Sequence, residues 1–146
     1  MARLKLVLPA TFSFSTTITV LISNINYGGH VGNDSILSFI HEARLRYFQF
    51  LGADELNFFG TSVIMGDVVI SYKAESFHGD ELTLAVTADE FTTYGFDLYY
   101  RITKQQAGEQ KLVAEAKTGM VCFNYTTRKV EPVPEVFKLK TREAKI

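Results

Sequence analysis

The loop at residues 26–33, Asn-Tyr-Gly-Gly-His-Val-Gly-Asn, holds the side chains of this sequence that are best placed to do chemistry. Asn33 is a suitable N-cap, and Asp34 in the next position suits the positive end of a helix dipole. Backbone N–H groups at a helix N-terminus have no intrahelical acceptor. Three glycines in five positions allow a ligand to approach this backbone closely. The pattern fits a binding site for a polarised carbonyl and a tight strand-to-helix connection equally well.

Candidate acids and bases lie in and beside this loop. His30 is a possible base or substrate donor, although a structural hydrogen bond is the preferred interpretation. Asp34 and Glu42 are the nearest carboxylates. Asp34 is expected to act first as a partner of the helix dipole. Glu42 is expected to be buried and to pair with Arg46, four residues later, or with Arg44, and it remains a second candidate for a general base.

Other reactive residue types give no sign of a metal or thiol site. His41 and His78 lack the spacing of a metal-ligand motif, so we expect no metal. The single cysteine, Cys122, excludes an intrachain disulfide framework. Its position within a predicted strand favours a packed core thiol.

The composition is that of one compact domain, expected to span residues 1–146. Hydrophobic residues make up 47% of the chain, with 12 Phe, 7 Tyr and no Trp. A net charge of −1 argues against a generic nucleic-acid binder. The apolar stretch after the basic start Met1–Lys5 is too short for a signal peptide, and residues 6–33 are too polar for a membrane span. We expect a cytoplasmic protein.

One long helix and several strands must position the loop. Apolar residues recur at helical spacing from Ile36 to Leu51, with Gly52 as a C-cap. Further apolar residues between them extend the hydrophobic surface nearly all round, which predicts a buried helix wrapped by other elements.

Alternating β-branched and aromatic residues predict the strands that would wrap this helix. The polar segment at 105–110 is expected to be a loop, and Gly66-Asp67 a bulge. The C-terminal segment around Pro132 and Pro134 is expected to be irregular, ending in a solvated tail or surface strand. The predicted strands lie at residues 12–22, 61–75, 82–88, 96–102 and 112–125. The fold class is therefore α+β with an antiparallel sheet.

Several segments resemble the hotdog-fold acyl-CoA thioesterases of the 4-hydroxybenzoyl-CoA thioesterase-like family. The loop at 26–33 resembles the family segment D-x-x-G-H-V-N-N, and Glu42-Ala43-Arg44 resembles its E-A-R triplet. Residues 71–74 followed by His78-Gly79-Asp80-Glu81-Leu82 resemble Y-x-x-P-x-x-x-G-D-E-L. The last predicted strand and the ending Val130–Pro134 also match in order and spacing, so the resemblance covers nearly the whole chain.

The resemblance implies a hotdog fold and hydrolysis of an acyl-CoA or acyl-carrier thioester, whose carbonyl binds at the N-terminus of the central helix. It implies no cofactor, since coenzyme A is part of the substrate. It also implies dimers that join their sheets and have their sites at the subunit interface. These dimers would assemble further into tetramers. The residues that would bind substrate are Tyr27, Gly28, Gly29, His30 and Asn33.

One position departs from the family pattern, because Asn26 stands where the family has a catalytic aspartate. A carboxamide cannot take a proton from water at neutral pH. Asn26 would therefore position water or the thioester, with Asp34 or a partner-subunit carboxylate as the base. The alternatives are a slow enzyme and a protein that binds acyl thioesters without hydrolysis. A hotdog hydratase is disfavoured, because the Asp and Pro of the D-x-N-P-x-H pattern are missing.

Overall fold

The computed structural model describes residues 4–143, which form a six-stranded antiparallel sheet and two α-helices. The predicted α+β class is confirmed. The sheet has the order β1-β3-β4-β5-β2, and β6 pairs with β5. Its strands are β1 (Phe14–Thr19), β2 (Ser62–Tyr72), β3 (Glu81–Asp89), β4 (Gly95–Gln106), β5 (Glu109–Asn124) and β6 (Lys129–Val130). The helices are α1 (Asn33–Phe50) and α2 (Glu135–Glu143).

Apolar and polar residues alternate along the strands, and this alternation places one face of the sheet against the core, as predicted. In β3 the alternate residues Leu82, Leu84, Val86 and Ala88 are fully buried. The predicted bulge in β2 is also present, because the pairing with β5 shifts register between Met65 and Asp67. The loop expected at 105–110 is shorter than predicted. β4 and β5 pair through Gln106 and Glu109, leaving a two-residue turn.

Helix α1 begins at Asn33, with Gly32 rather than Asn33 as its N-cap, and ends at Phe50. Its buried residues are Ile36, Phe39, Ile40, Ala43, Arg44, Tyr47 and Phe48. The expectation that the helix is buried all round is wrong for this chain, since Glu42 is exposed and Phe50 has 59% of its surface exposed. One side of α1 packs on the sheet, and the other side faces outward.

The irregular C-terminal tail expected from the sequence is instead a helix that completes the core. Phe137 of α2 is fully buried, and its ring centroid lies 4.6 Å from those of both Phe58 and Phe96. The N–H of Phe137 donates to the carbonyl of Pro134, so the proline marks the start of the first turn. Burial of an aromatic side chain explains why this short segment is ordered.

Neither helix within the described range is long and apolar enough to cross a membrane. The cytoplasmic location and the single-domain bounds 1–146 stay predictions. Met1–Arg3 of the basic start and residues 144–146 of the C-terminal segment lie outside the described residues.

Candidate active site

The loop that leads into α1 is a closed turn held by its own backbone. The N–H of Asn26 donates to the carbonyl of His30 over 2.9 Å, and the N–H of Gly29 donates to the carbonyl of Asn26 over 3.1 Å. Ile25 and Val31 pair on either side of the turn. Gly29 has a φ of 81°, which a residue with a side chain rarely adopts. These bonds hold Asn26 and His30 at fixed positions beside the start of α1.

The side chain of Asn26 is part of the same turn. Its Oδ1 accepts a hydrogen bond from the N–H of Gly28 over 2.9 Å. The oxygen is therefore engaged, and Nδ2 remains as a donor. Asn26 can hold a carbonyl or a water by donating to it, but it cannot remove a proton.

The N-terminus of α1 offers backbone donors to a ligand. The carbonyl of Gly32 accepts from the N–H groups of Ser35 and Ile36 over 3.1 and 3.2 Å, and no side chain caps the helix. None of the described residues accepts a hydrogen bond from the N–H of Asn33 or Asp34. Such groups carry the positive end of the helix dipole, which suits a developing negative charge.

A cleft of about 400 Å³ opens beside this helix end. The volume falls within the range of small-molecule sites, about 300–1,000 Å³. The loop, the first turn of α1, the end of β2 and one residue of β5 form its walls. The lining residues are Asn26, His30, Val31, Asn33, Ile36, Tyr72, Lys73, Ala74, Glu75, Ser76 and Val113. The walls combine an apolar patch with a few polar groups, as ligand pockets do.

Tyr72 joins the end of β2 to the first turn of α1. Its hydroxyl donates to the carbonyl of Asn33 over 3.2 Å. Partial burial, together with the negative charge of Asp34, raises the pKa of the Tyr72 phenol above its ordinary value. The phenol therefore keeps its proton and remains a donor at neutral pH.

The imidazole of His30 has one nitrogen bonded and one turned towards a carboxylate. Nδ1 lies 3.2 Å from the carbonyl oxygen of Val31, and a carbonyl only accepts, so Nδ1 carries a proton. Nε2 lies 4.0 Å from Oε1 of Glu75. Glu75 lies inside the 72–82 segment that resembles the family motif, at the proline position of Y-x-x-P-x-x-x-G-D-E-L, and the sequence analysis did not single it out. The glutamate in place of that proline is the signal that would have found it.

The segment after β2 that carries Glu75 is held in place by hydrogen bonds from the buried Lys104. Nζ of the buried Lys104 donates to the carbonyl of Glu75 over 2.8 Å and to Oδ2 of Asp80 over 2.9 Å. Burial alone would raise the pKa of the Asp80 carboxyl. Hydrogen bonds from Lys104 and from the N–H of Phe77, together with the charge of Lys104, outweigh this effect, so the pKa of Asp80 is lower than its ordinary value. The N–H of Val31 donates to the carbonyl of Ser76 over 2.8 Å. The two walls of the cleft are thus bonded to each other.

The structure brings only part of the predicted site together. Asn26, His30 and Asn33 line the cleft. Tyr27 is fully exposed at the tip of the loop and does not line it. Gly28 and Gly29 form the turn. Asp34 is exposed, and its carboxylate lies against Gly32, where a Cβ atom would stand only about 2.5 Å from Oδ1. The carboxylate therefore folds over the start of α1 rather than into the cleft.

Glu42 lies two turns away on the outer side of α1. Its carboxylate accepts from Nε of Arg46 over 2.8 Å, so the partner is Arg46 and not Arg44, the other partner that the sequence allowed. Arg46 also donates to Thr16 and Thr17 at β1. The expected burial of Glu42 is wrong, since half of its side chain is exposed. This position leaves Glu42 outside the cleft.

Cys122 is a buried free thiol in β5, as the sequence predicted. Burial, with a smaller effect of the negative charge of Glu131, raises the pKa of the Cys122 thiol to about 11. The described part of the chain contains no group of three His, Cys, Asp or Glu residues placed to hold a metal ion.

Comparison with known proteins relates the chain as a whole to thioesterases. A family model described as the thioesterase-like superfamily matches residues 20–140. A 1,4-dihydroxy-2-naphthoyl-CoA hydrolase from Acaryochloris marina is 32% identical over 124 residues, covering 82% of this chain and 88% of that protein.

Solved structures share the fold. A 1,4-dihydroxy-2-naphthoyl-CoA thioesterase from Synechocystis superposes with a TM-score of 0.79 at 21% identity, covering 92% of this chain and 97% of that one. The 4-hydroxybenzoyl-CoA thioesterase from Pseudomonas sp. strain CBS-3 gives a TM-score of 0.76 at 16% identity, covering 86% and 97%. The hotdog fold implied by the sequence motifs is confirmed.

Proposed function

Since the chain belongs to the thioesterase-like superfamily and is a thioester hydrolase, we propose that it acts on an acyl-CoA whose carbonyl binds at the N-terminus of α1. The observation that carries this proposal is the cleft beside the first turn of α1, where Asn33 is a lining residue and the N–H groups of Asn33 and Asp34 have no acceptor among the described residues. Hydrolysis is favoured over binding without turnover, because the curated relative is a hydrolase.

The helix end supplies the electrostatic part of the reaction. When water adds to a thioester, the carbonyl oxygen gains negative charge. Donors fixed towards that oxygen stabilise the transition state by about 3–4 kcal/mol each in well-studied enzymes. Nδ2 of Asn26 adds a neutral donor from the loop, so the carbonyl is held from two sides.

The other residues of the cleft suit the acyl group and a phosphate of coenzyme A. Val31, Ile36 and Val113 form an apolar wall for the acyl group, and Tyr72 bounds it. The exposed Lys73 lies at the same cleft and supplies a cation for a phosphate of coenzyme A. Lys104, by contrast, is engaged by Asp80 and by the backbone. No other cofactor enters the proposal.

Self-association is the second part of the proposal. β2 is an edge strand of the sheet, and Met65, Val68 and Tyr72 expose apolar or aromatic surface along it. A long exposed edge invites pairing with a second strand. Two copies joined along β2 would bring the cleft at the end of β2 next to the partner. A light-scattering mass of twice or four times 16.4 kDa supports it, and a mass of 16.4 kDa contradicts it.

Thiol release from a panel of acyl-CoAs tests the activity. The panel contains aryl-CoAs such as 4-hydroxybenzoyl-CoA together with short and long fatty acyl-CoAs. We expect saturable release of CoA from at least one of them. Saturable binding, measured by calorimetry, without thiol release from any of them would contradict hydrolysis and favour a binding protein.

A further inference from the structure

Resting on the proposed hydrolysis, we propose that Glu75 is the general base, and that it shares the attacking water with Nε2 of His30. The loop position that carries an aspartate in the resembled family is Asn26 here, and its amide cannot accept the proton of water. A hydrolase of this form therefore needs another base, either from a partner subunit or from this cleft. Glu75 is the one carboxylate among the residues that line it.

The backbone carbonyl of the next residue, Val31, orients the imidazole of His30 for this task. The bond from Nδ1 to the carbonyl of Val31 leaves the lone pair of the neutral ring on Nε2. The separation of 4.0 Å between Nε2 and Oε1 of Glu75 is too long for a direct hydrogen bond. One water placed about 2.8 Å from each atom spans that distance. The pair is therefore spaced to hold a single water.

Glu75 has a fixed backbone and a free carboxylate. Its carbonyl is held by the buried Lys104, and the next residue, Ser76, is held by Val31. No donor among the described residues lies within hydrogen-bond distance of the Glu75 carboxylate, and 65% of its side chain is exposed. A base needs open lone pairs at the site, and the held backbone keeps the free carboxylate of Glu75 at the cleft.

The two carboxylates chosen from the sequence lack this placement. Asp34 folds over Gly32 at the helix end, outside the cleft. Glu42 is bonded to Arg46 on the outer side of α1. Neither faces Nε2 of His30.

The chemical step needs only water and the thioester. Glu75 takes one proton from the water as the water oxygen bonds to the thioester carbon. The carbonyl oxygen becomes an oxyanion beside the N–H groups of Asn33 and Asp34. The C–S bond then breaks, and the proton held by Glu75 passes to the departing sulfur. The products are the carboxylic acid and free coenzyme A.

The test compares the unmodified protein with Glu75→Gln, which keeps the side-chain shape but removes the base. We expect kcat to fall by about 100-fold or more with KM changed by less than about threefold, since general bases contribute about 10²–10⁴ in rate. Glu81→Gln, an exposed carboxylate of β3 outside the cleft, is the matched control and should keep its rate. Formate added to Glu75→Ala should restore at least about tenfold of the lost rate, because a small carboxylate fills the space.

The possible outcomes separate this assignment from the function on which it rests. A Glu75→Gln enzyme with nearly full kcat would overturn the assignment while leaving the hydrolase intact. A large loss in Asp34→Asn alone would give the role to Asp34 and overturn it as well. Absence of turnover by the unmodified protein with every acyl-CoA would refute the proposed function, and the assignment with it.

Discussion

Gly28 leaves the space that the imidazole of His30 occupies. A Cβ atom on Gly28 would stand 3.1 Å from Nε2 and 3.2 Å from Cδ2 of that ring, closer than ordinary packing allows. The φ of Gly28 is not in the left-handed region, so a side chain is opposed here by the neighbouring ring and not by the backbone.

Gly28→Ala should therefore displace His30 without unfolding the loop. We expect kcat to fall by about tenfold, because small errors in the position of a reacting group are costly, while the melting temperature changes little. The chain has three histidines, so the His30 resonances can be followed by NMR in the same variant. Unchanged resonances together with unchanged kcat would contradict this role for Gly28.

Asn26→Asp tests whether the loop has lost a base that the chain still needs. With Glu75 as the base, the added carboxylate is redundant and removes the Nδ2 donor, so we expect kcat to stay equal or fall. The measurement is thiol release at saturating acyl-CoA. A gain of about tenfold or more would show that position 26 is the preferred place for the base and would count against Glu75.

Tyr72→Phe removes the hydroxyl that donates to the carbonyl of Asn33. A single hydrogen bond contributes about 0.5–1.5 kcal/mol, so we expect a loss of unfolding free energy of about 1 kcal/mol or less. KM should rise, because the first turn of α1 is less well held against the cleft. Tyr94→Phe is the matched control, since Tyr94 is exposed to a similar extent and lies outside the cleft. Equal effects of the two changes would remove the special role of Tyr72.

Two ion pairs on α1 should differ sharply in their importance for stability. Arg44 is buried, and its Nε donates to Glu55 over 3.0 Å, whereas the Glu42–Arg46 pair is half exposed. Glu55→Gln leaves a buried guanidinium without its counter-charge and should cost about 3–5 kcal/mol of unfolding free energy. Glu42→Gln should cost about 1 kcal/mol or less. Urea unfolding compares the two, and similar losses would contradict the difference.

The buried thiol of Cys122 should make stability fall at high pH. Burial raises its pKa to about 11 from the ordinary 9.0. Folding favours the thiol form, so this contribution is complete below about pH 9 and is lost as the pH rises through 11. The stability advantage of the wild type over Cys122→Ala should shrink by roughly 2 kcal/mol between pH 8 and pH 11. A difference that is constant with pH would show that folding does not raise the pKa of this thiol.

Local patterns in the sequence determined most of the secondary structure. Period-two alternation located the strands, and apolar spacing located α1 to within one or two residues at each end. The bulge in β2 followed from Gly66-Asp67, because a glycine inside a strand breaks the regular pairing. The helix α2 was missed, although Pro134, Glu135 in the first turn, and Lys140 and Arg142 in the last are start and stop signals.

The sequence alone located the loop at 26–33 and the start of α1, because both depend on neighbouring residues. It also showed that position 26 has an amide where the resembled family has an aspartate, because this is a matter of side-chain chemistry. Only the tertiary structure decided which carboxylate reaches the cleft. Glu75 is 45 positions after His30, and antiparallel pairing of β2 with β5 and the bonds from Lys104 and Val31 bring it there. Asp34 is four positions from His30 and is turned away, because its side chain folds over the first turn of α1. Nearness along the chain sets which groups are available, and packing sets which of them meet the substrate.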